Sequence, residues 1–275
     1  MVTASAPRSG LRGNFRGKPW YMPTFSPEHG VLLVLAGGLL TGASLAQAWT
    51  WETGLAALAA LLGLQAEHPF TVQVKQRRQW RPRYVVWALV YGLSAIAIMA
   101  WLTLRHPALL WVCMGAAIAM AIHTWAVFRH KQKAIPTELL MFSAICLSTP
   151  LAYSTTAHSL STDAVGLWLL NALFFCSAVF TIKLRKARTS SLSGALIYHS
   201  TGAAMVVVLC WLGWLPLLTA LTFAIALLKL AVIIGWRDWY CNCRFEYIAR
   251  FETYFALSYT ALACLTLLPA RLPVT

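Results

Sequence analysis

The chain has 275 residues, of which 59% are hydrophobic and 11% are charged, and its mean hydropathy is +0.66. Soluble globular proteins are about 45–50% apolar and about 25% charged, so this chain has too few charges to cover a water-exposed surface. A disordered chain is excluded because the apolar content is too high. The 22 Lys and Arg against 8 Asp and Glu give a net charge of +14. In a membrane protein, such an excess of basic residues is typical of cytoplasmic loops, so it is interpreted as a topology signal and not first as a sign of nucleic-acid binding. The composition predicts an all-α polytopic membrane protein.

The chain begins with a basic stretch and continues as a series of apolar runs. Residues 1–25 are polar, basic and rich in Gly, Pro and Ser, and they hold no apolar run of signal-peptide length. We expect a flexible cytosolic tail there and a single transmembrane helical domain over residues 26–275. A helix needs about 20 apolar residues to cross the hydrocarbon layer. This length predicts nine spans, at 31–50, 53–72, 84–103, 108–128, 138–157, 164–182, 193–212, 214–234 and 252–269.

Two of these boundaries rest on few residues. The second span is interrupted by Glu67, His68 and Pro69, and the break between the seventh and eighth spans depends on Gly213 and Pro216. One straight helix over both of the latter spans would be too long for a bilayer, so two spans are expected.

The distribution of basic residues predicts the orientation. Nineteen of the 22 Lys and Arg fall in the N-terminal tail or in alternate loops, Arg105 and Arg271 fall on the other side, and Lys229 lies within a span. Cytoplasmic loops carry the excess of Lys and Arg. We therefore expect the N-terminus in the cytosol, the C-terminus outside, and a multi-pass protein of the bacterial cytoplasmic (inner) membrane.

Ionisable groups within a membrane are costly and mark functional sites. In the predicted topology most of them lie toward the cytosolic side, and Arg105, His158 and Asp163 stand alone on the outer side. We expect the helices to bring the first group around one cytosol-facing cavity. The candidate catalytic residues are Glu28, Glu67 and His199, because a histidine near neutral pKa suits proton transfer. The candidate substrate-binding residues are His29, His68, Lys183, Arg185, Arg188, Tyr198 and Lys229.

Each candidate also has a structural interpretation. Glu28 can stabilise a helix start through the helix dipole, and the basic run 183–188 can be a topology signal that contacts anionic lipid. Lys229 can snorkel to the interface, and His199 can be an interhelical hydrogen-bonding group. We interpret His123, beside Trp125, as structural.

Four short motifs resemble one family in order and spacing. Ser-Pro-Glu-His-Gly at 26–30 precedes the first span, and His-Pro-Phe at 68–70 ends the second. Phe-Thr-Ile-Lys-Leu-Arg at 180–185 follows the sixth span, and Tyr-His at 198–199 lies in the seventh. These motifs are similar to those of the YwiC-like family of bacterial membrane proteins, and the resemblance covers roughly residues 26–265. It implies a membrane protein and names no activity.

The predicted architecture also resembles the intramembrane prenyltransferases of the UbiA type, which have nine spans and a cytosolic N-terminus. Those enzymes place Asp-rich motifs after the second and sixth spans. Here the corresponding stretches, 67–78 and 183–188, carry Lys and Arg, and the chain holds only two aspartates, Asp163 and Asp238. Because the Asp-rich motifs are missing, Mg²⁺-assisted chemistry is not expected. Arg and Lys can still hold a phosphate or diphosphate directly.

Other cofactors have no sequence support. A bis-histidine haem site needs two histidines at matching depth. His123 and His199 are the candidates, but their flanking residues do not support one. We therefore predict no cofactor and no metal.

Three functions remain open from the sequence. The first is an enzyme or binder of a phosphorylated or otherwise anionic lipid, such as an isoprenoid or quinone-pathway intermediate; whether it is an enzyme, and then a prenyl transferase, stays open. The second is a small-solute transporter, which inverted repeats and broken helices at the midplane would mark. The third is a non-catalytic anchor or assembly factor of a respiratory complex. The expected partner is a membrane lipid and not nucleic acid, and the oligomeric state is open.

Overall fold

The computed structural model describes residues 21–25, 29–76, 79–185 and 191–268, without the side chain of His29. Within these residues the regular structure is helical and no strand occurs, which confirms the all-α prediction. The helices are α1 (His29–Ala46), α2 (Trp51–Lys75), α3 (Pro82–Arg105), α4 (Leu109–Phe128), α5 (Ile135–Ile145), α6 (Ser148–Ala157), α7 (Thr162–Lys183), α8 (Leu192–Trp211), α9 (Leu217–Leu221), α10 (Ala224–Gly235), α11 (Arg237–Asn242) and α12 (Phe245–Leu267).

Each of the nine apolar runs found in the sequence coincides with one helix or with two consecutive helices. In the part of the chain that the structure describes, seven helical segments are long and apolar enough to cross a membrane, and α1 is apolar but shorter. These seven are α2, α3, α4, α5 with α6, α7, α8, and α9 with α10. A multi-pass membrane protein is therefore supported.

Proline and glycine explain where the chain breaks. The run at 135–157 is divided into α5 and α6 just before Pro150, which has no backbone N–H to donate to the carbonyl of Cys146. α8 ends at Trp211, and Gly213, two residues later, has a φ of +73° that suits the left-handed turn after a helix. Pro216 then caps α9. α2, in contrast, continues through Glu67, His68 and the buried Pro69 to Lys75, so these residues do not interrupt the second span.

Close helix packing surrounds α1. α1 contacts α6 and α12 most extensively, and α2 pairs with α3 as a helical hairpin. A side chain at Gly42 would collide with the backbone carbonyl of Thr149 in α6, so a glycine is needed at this crossing.

Next to this crossing, Asn171 of α7 donates hydrogen bonds to the hydroxyls of Thr41 (2.8 Å) and Thr149 (2.7 Å). Tyr259 of α12 donates to the Asn171 carbonyl oxygen at 2.7 Å, so one buried amide links four helices.

The predicted tail is described over its last five residues only. There the side chain of Arg83, at the start of α3, donates to the carbonyls of Met22 (2.7 Å) and Pro23 (2.8 Å). Residues 1–20 lie outside the described part of the chain, so their predicted flexibility stays a prediction.

Candidate functional site

The ends of four helices enclose a polar cavity of about 420 Å³. Lys75 ends α2, Lys133 lies in the loop between α4 and α5, Glu138 lies in the first turn of α5, and Lys183 ends α7. These residues share one end of the bundle because α2, α4 and α7 finish there. A basic residue in the last turn of a helix is favoured by the negative end of the helix dipole, so the same residues that stabilise the helix ends line the cavity.

Glu67 and His123 form a pair inside this cavity. His123 Nε2 lies 3.0 Å from Glu67 Oε1, and the Thr71 hydroxyl donates to the same oxygen at 2.6 Å. The other ring nitrogen of His123, Nδ1, is buried without a hydrogen-bond partner. His68 lines the cavity beside them. A carboxylate and an imidazole in contact are suited to hold and pass a proton.

Lys183 forms an ion pair with Glu138 across the cavity wall. The lysine is largely buried, and its Nζ also lies 3.4 Å from the carbonyl of Lys133. The Glu138 side chain remains 29% exposed. The pair thus lies at the boundary between the packed protein and the cavity.

A second, apolar cavity of about 330 Å³ adjoins the polar one. It extends among α2, α3, α4 and α5–α6 and is lined mostly by alanine, leucine and methionine side chains. Four residues line both cavities: Leu64, Glu67, Met141 and Ile145. The two spaces therefore meet at Glu67, with the charged residues on one side of it and aliphatic side chains on the other.

The opposite face of α7 carries a separate polar network whose residues line neither cavity. Lys229 of α10 donates to the Ser177 hydroxyl and to Glu252 Oε2, both at 2.9 Å. Glu252 Oε1 accepts from Thr181 at 2.8 Å and from Tyr240 at 3.2 Å. Burial raises the pKa of Tyr240, so its hydroxyl keeps the proton that it donates. This carboxylate is satisfied by three donors on three helices.

His199 and Tyr198 also lie away from the polar cavity. His199 is 1% exposed, its Nδ1 lies 2.7 Å from the carbonyl of Ala195, and its Nε2 is buried without a partner. The Tyr198 hydroxyl donates to the Leu173 carbonyl at 2.9 Å, and its ring stacks on Phe180 with centroids 4.4 Å apart. Neither side chain lines either cavity.

Arg185 connects the end of α7 to the start of α12. Its guanidinium donates to the carbonyl of Cys243 and lies 6.0 Å from the Phe245 ring centroid. Its role in the structure is a contact between helices. Glu28, Arg188 and the side chain of His29 lie outside the described residues, so their predicted roles stay predictions.

The arrangement divides the one cavity expected from the sequence into two clusters on either side of α7. Glu67, His68 and Lys183 come together, whereas Lys229, His199 and Tyr198 lie on the other side. The residue that was not among the sequence-predicted site residues is His123, interpreted above as structural, which contacts Glu67 and lines the polar cavity. The depth of His123 and Glu67 in their spans was visible in the sequence, but which helices are neighbours was not.

The far end of α2 holds a third polar cluster. His106 Nε2 lies 2.7 Å from Glu52 Oε2, Arg105 contacts the other oxygen of Glu52 at 3.3 Å, and the Nδ1 atoms of His106 and His158 are 2.8 Å apart. The sequence analysis named Arg105, His158 and Asp163 on the outer side, and the structure places Glu52 and His106 beside the first two, because the ends of α3 and α6 meet at the start of α2.

The family comparison agrees with the resemblance over the part of the chain that holds the first two motifs, at 26–30 and 68–70. The model of a family described as YwiC-like protein matches residues 25–153. These residues include α1 to α5 and most of α6, which carry Glu67, His123 and Glu138. Comparison with curated proteins and with solved structures gave no match.

Proposed function

We propose that this YwiC-like membrane protein binds an amphiphile with an anionic head group, in particular a phosphorylated isoprenoid or quinone-pathway lipid. The observation that carries the proposal is the junction of the two cavities at Leu64, Glu67, Met141 and Ile145. A ligand that fills both must be polar at one end and apolar at the other. A lipid has this character, and a small polar solute does not.

The head group is assigned to the polar cavity. Lys75, Lys133 and Lys183 supply three cationic side chains there, against the carboxylates of Glu67 and Glu138. Hydrogen bonds from a cationic donor to phosphate are about twice as strong as neutral ones. A phosphate that approaches Lys183 would compete with Glu138 for the same ammonium group.

The tail is assigned to the apolar cavity. Each methylene group that leaves water for such a site contributes about 0.8 kcal/mol. The methionines in this lining, Met99, Met120 and Met141, are flexible and suit an irregular aliphatic chain.

If the protein also transforms the lipid, the proton-transfer pair is Glu67 and His123, since these groups face the polar cavity and His199 does not. We further propose nine spans in the bacterial cytoplasmic (inner) membrane with the N-terminus in the cytosol, so that the polar cavity opens to the cytosol. The likeness to UbiA-type enzymes belongs to the same proposal and rests on the span count and the cytosolic N-terminus.

The test compares farnesyl phosphate with farnesol, which has the same tail without the charge. We expect the full-length protein in detergent micelles to bind the phosphate at least tenfold more tightly, as measured by thermophoresis. Lys183→Met should lower the affinity for farnesyl phosphate about tenfold, or about 1.4 kcal/mol, with little effect on farnesol.

Lys131→Met is the matched control, because Lys131 is an exposed cation near Lys133 that does not line the cavity. Its affinity should equal that of the wild type. Equal binding of farnesol and farnesyl phosphate by the wild type, or equal losses in both variants, would contradict the assignment.

A further inference from the structure

The cluster at the far end of α2 brings together three side chains that could each offer one metal ligand. One ligand atom from each of Glu52, His106 and His158 lies within 4.8 Å of the other two. Glu52 and Glu67 are both in α2 and are separated by 15 residues, or about 22 Å along the helix axis. The cluster is therefore distant from the polar cavity, and none of its three residues lines the apolar one.

Neighbouring contacts hold the three residues in place. The hydroxyls of Thr53 in α2 and Thr156 in α6 are 2.6 Å apart, which fixes the start of α2 against the end of α6. Leu102 and Leu109, on either side of His106, are fully buried in a core cluster with Ala56. The positions of Glu52 and His106 are thus set by packing and do not depend on a ligand.

The donor types favour a transition metal. Two imidazoles and one carboxylate form a donor set that zinc uses, with metal–ligand distances of about 2.0–2.2 Å and a tetrahedral geometry. Mg²⁺ and Ca²⁺ prefer oxygen donors. Glu52 and His106 are buried, whereas His158 is exposed, so an ion from solution reaches the cluster on the side of His158.

The arrangement of the charged side chains leaves room for a divalent cation in the cluster. Arg105 contacts Glu52 through one oxygen only, and 53% of its side chain is exposed, with the guanidinium 4.2 Å from the Trp101 ring centroid. Its charge is therefore partly directed to solvent. The other oxygen of Glu52 faces His106 at 2.7 Å.

We infer that Glu52, His106 and His158 form a zinc site, with water in the remaining coordination position. A zinc ion there would join the start of α2, the end of α3 and the end of α6. The site is independent of the lipid-binding proposal, since it shares no residue with either cavity.

The test uses the full-length untagged protein in detergent, stripped with a chelator and then titrated with ZnCl₂ alone in a calorimeter. We expect one zinc per chain, and MgCl₂ should give no binding. His106→Ala and His158→Ala should each weaken zinc binding at least a hundredfold, and Glu52→Gln at least tenfold.

His130→Asn is the control, because His130 is an exposed histidine after the end of α4 that lines neither cavity, and the change should leave zinc binding unchanged. His158→Ala keeps the test interpretable if His106→Ala fails to fold, because His158 is exposed. Absence of zinc binding by the wild type, which would leave a hydrogen-bonded histidine pair only, or unchanged binding by His158→Ala, would overturn the inference.

Discussion

Two lysine–glutamate pairs lie on opposite faces of α7 and differ in their surroundings. Lys183 and Glu138 border the polar cavity, with side chains 11% and 29% exposed. Lys229 and Glu252 are enclosed, at 2% and 15%. The enclosed pair has further hydrogen bonds to Ser177, Thr181 and Tyr240. The same residue types therefore lie in different surroundings: the enclosed pair joins packed helices, and the pair at the cavity is the one that we propose meets a ligand.

The largest expected effect comes from breaking the enclosed pair. Lys229→Met leaves the Glu252 carboxylate buried without its cationic partner, which should lower the free energy of unfolding by about 3–5 kcal/mol. Lys183→Met should lower the free energy of unfolding by about 1 kcal/mol or less, because the Glu138 side chain that it leaves without this partner is 29% exposed. Unfolding by SDS in mixed micelles measures the free energy of unfolding of both variants.

A second change separates charge from packing at the enclosed pair. Adding Glu252→Gln to Lys229→Met removes the unpaired charge and should recover part of the lost stability. Equal destabilisation by Lys229→Met and Lys183→Met would remove the distinction between the two pairs.

The sequence predicted the helices well and their neighbours poorly. Apolar runs of about 20 residues and breaks at Gly213 and Pro216 are local signals, and the helices follow them. The placement of Lys229 depends on its contact with Glu252, which belongs to a different span. The local sequence does not show on which face of α7 Lys183 and Lys229 lie, so the sequence analysis placed both lysines in one cavity.

Two further differences between sequence and structure have separate physical causes. Glu52, His106 and His158 are more than 50 residues apart from one to the next, so spacing rules for metal sites do not reach them. The α12 helix begins at Phe245, seven residues before its predicted apolar run, because the turn containing Glu246 and Arg250 is polar yet helical. Hydropathy detects apolar residues and misses a polar extension of the same helix.

The apolar cavity offers the next test on the cavity side of the comparison. A side chain added at Gly63 meets no atom within 4 Å and enters this cavity. Gly63→Leu should displace about two buried methylene groups of a bound tail, or about 1.6 kcal/mol. Affinity for farnesyl phosphate should fall about tenfold, and that for the shorter geranyl phosphate should fall less.

Gly235→Leu is the control for this substitution, since its added side chain also meets no atom and lies outside both cavities. Thermophoresis with the two lipids gives the comparison. Equal losses for both tail lengths would place the tail elsewhere, and equal losses in the two variants would show a non-specific effect.

The smallest expected effect tests whether the two faces of α7 act independently. Ser177 accepts from Lys229 on the enclosed face, and Ala178, its neighbour, lines the polar cavity. Ser177→Ala removes one hydrogen bond to a charged group and should lower the free energy of unfolding by about 1–2 kcal/mol, with the affinity for farnesyl phosphate unchanged.

Ala178→Leu should lower the affinity for farnesyl phosphate and leave the free energy of unfolding unchanged, because a larger side chain there occupies space assigned to the head group. A loss of lipid affinity in Ser177→Ala equal to that in Ala178→Leu would mean that α7 couples the two clusters, and the enclosed pair would then belong to the binding site.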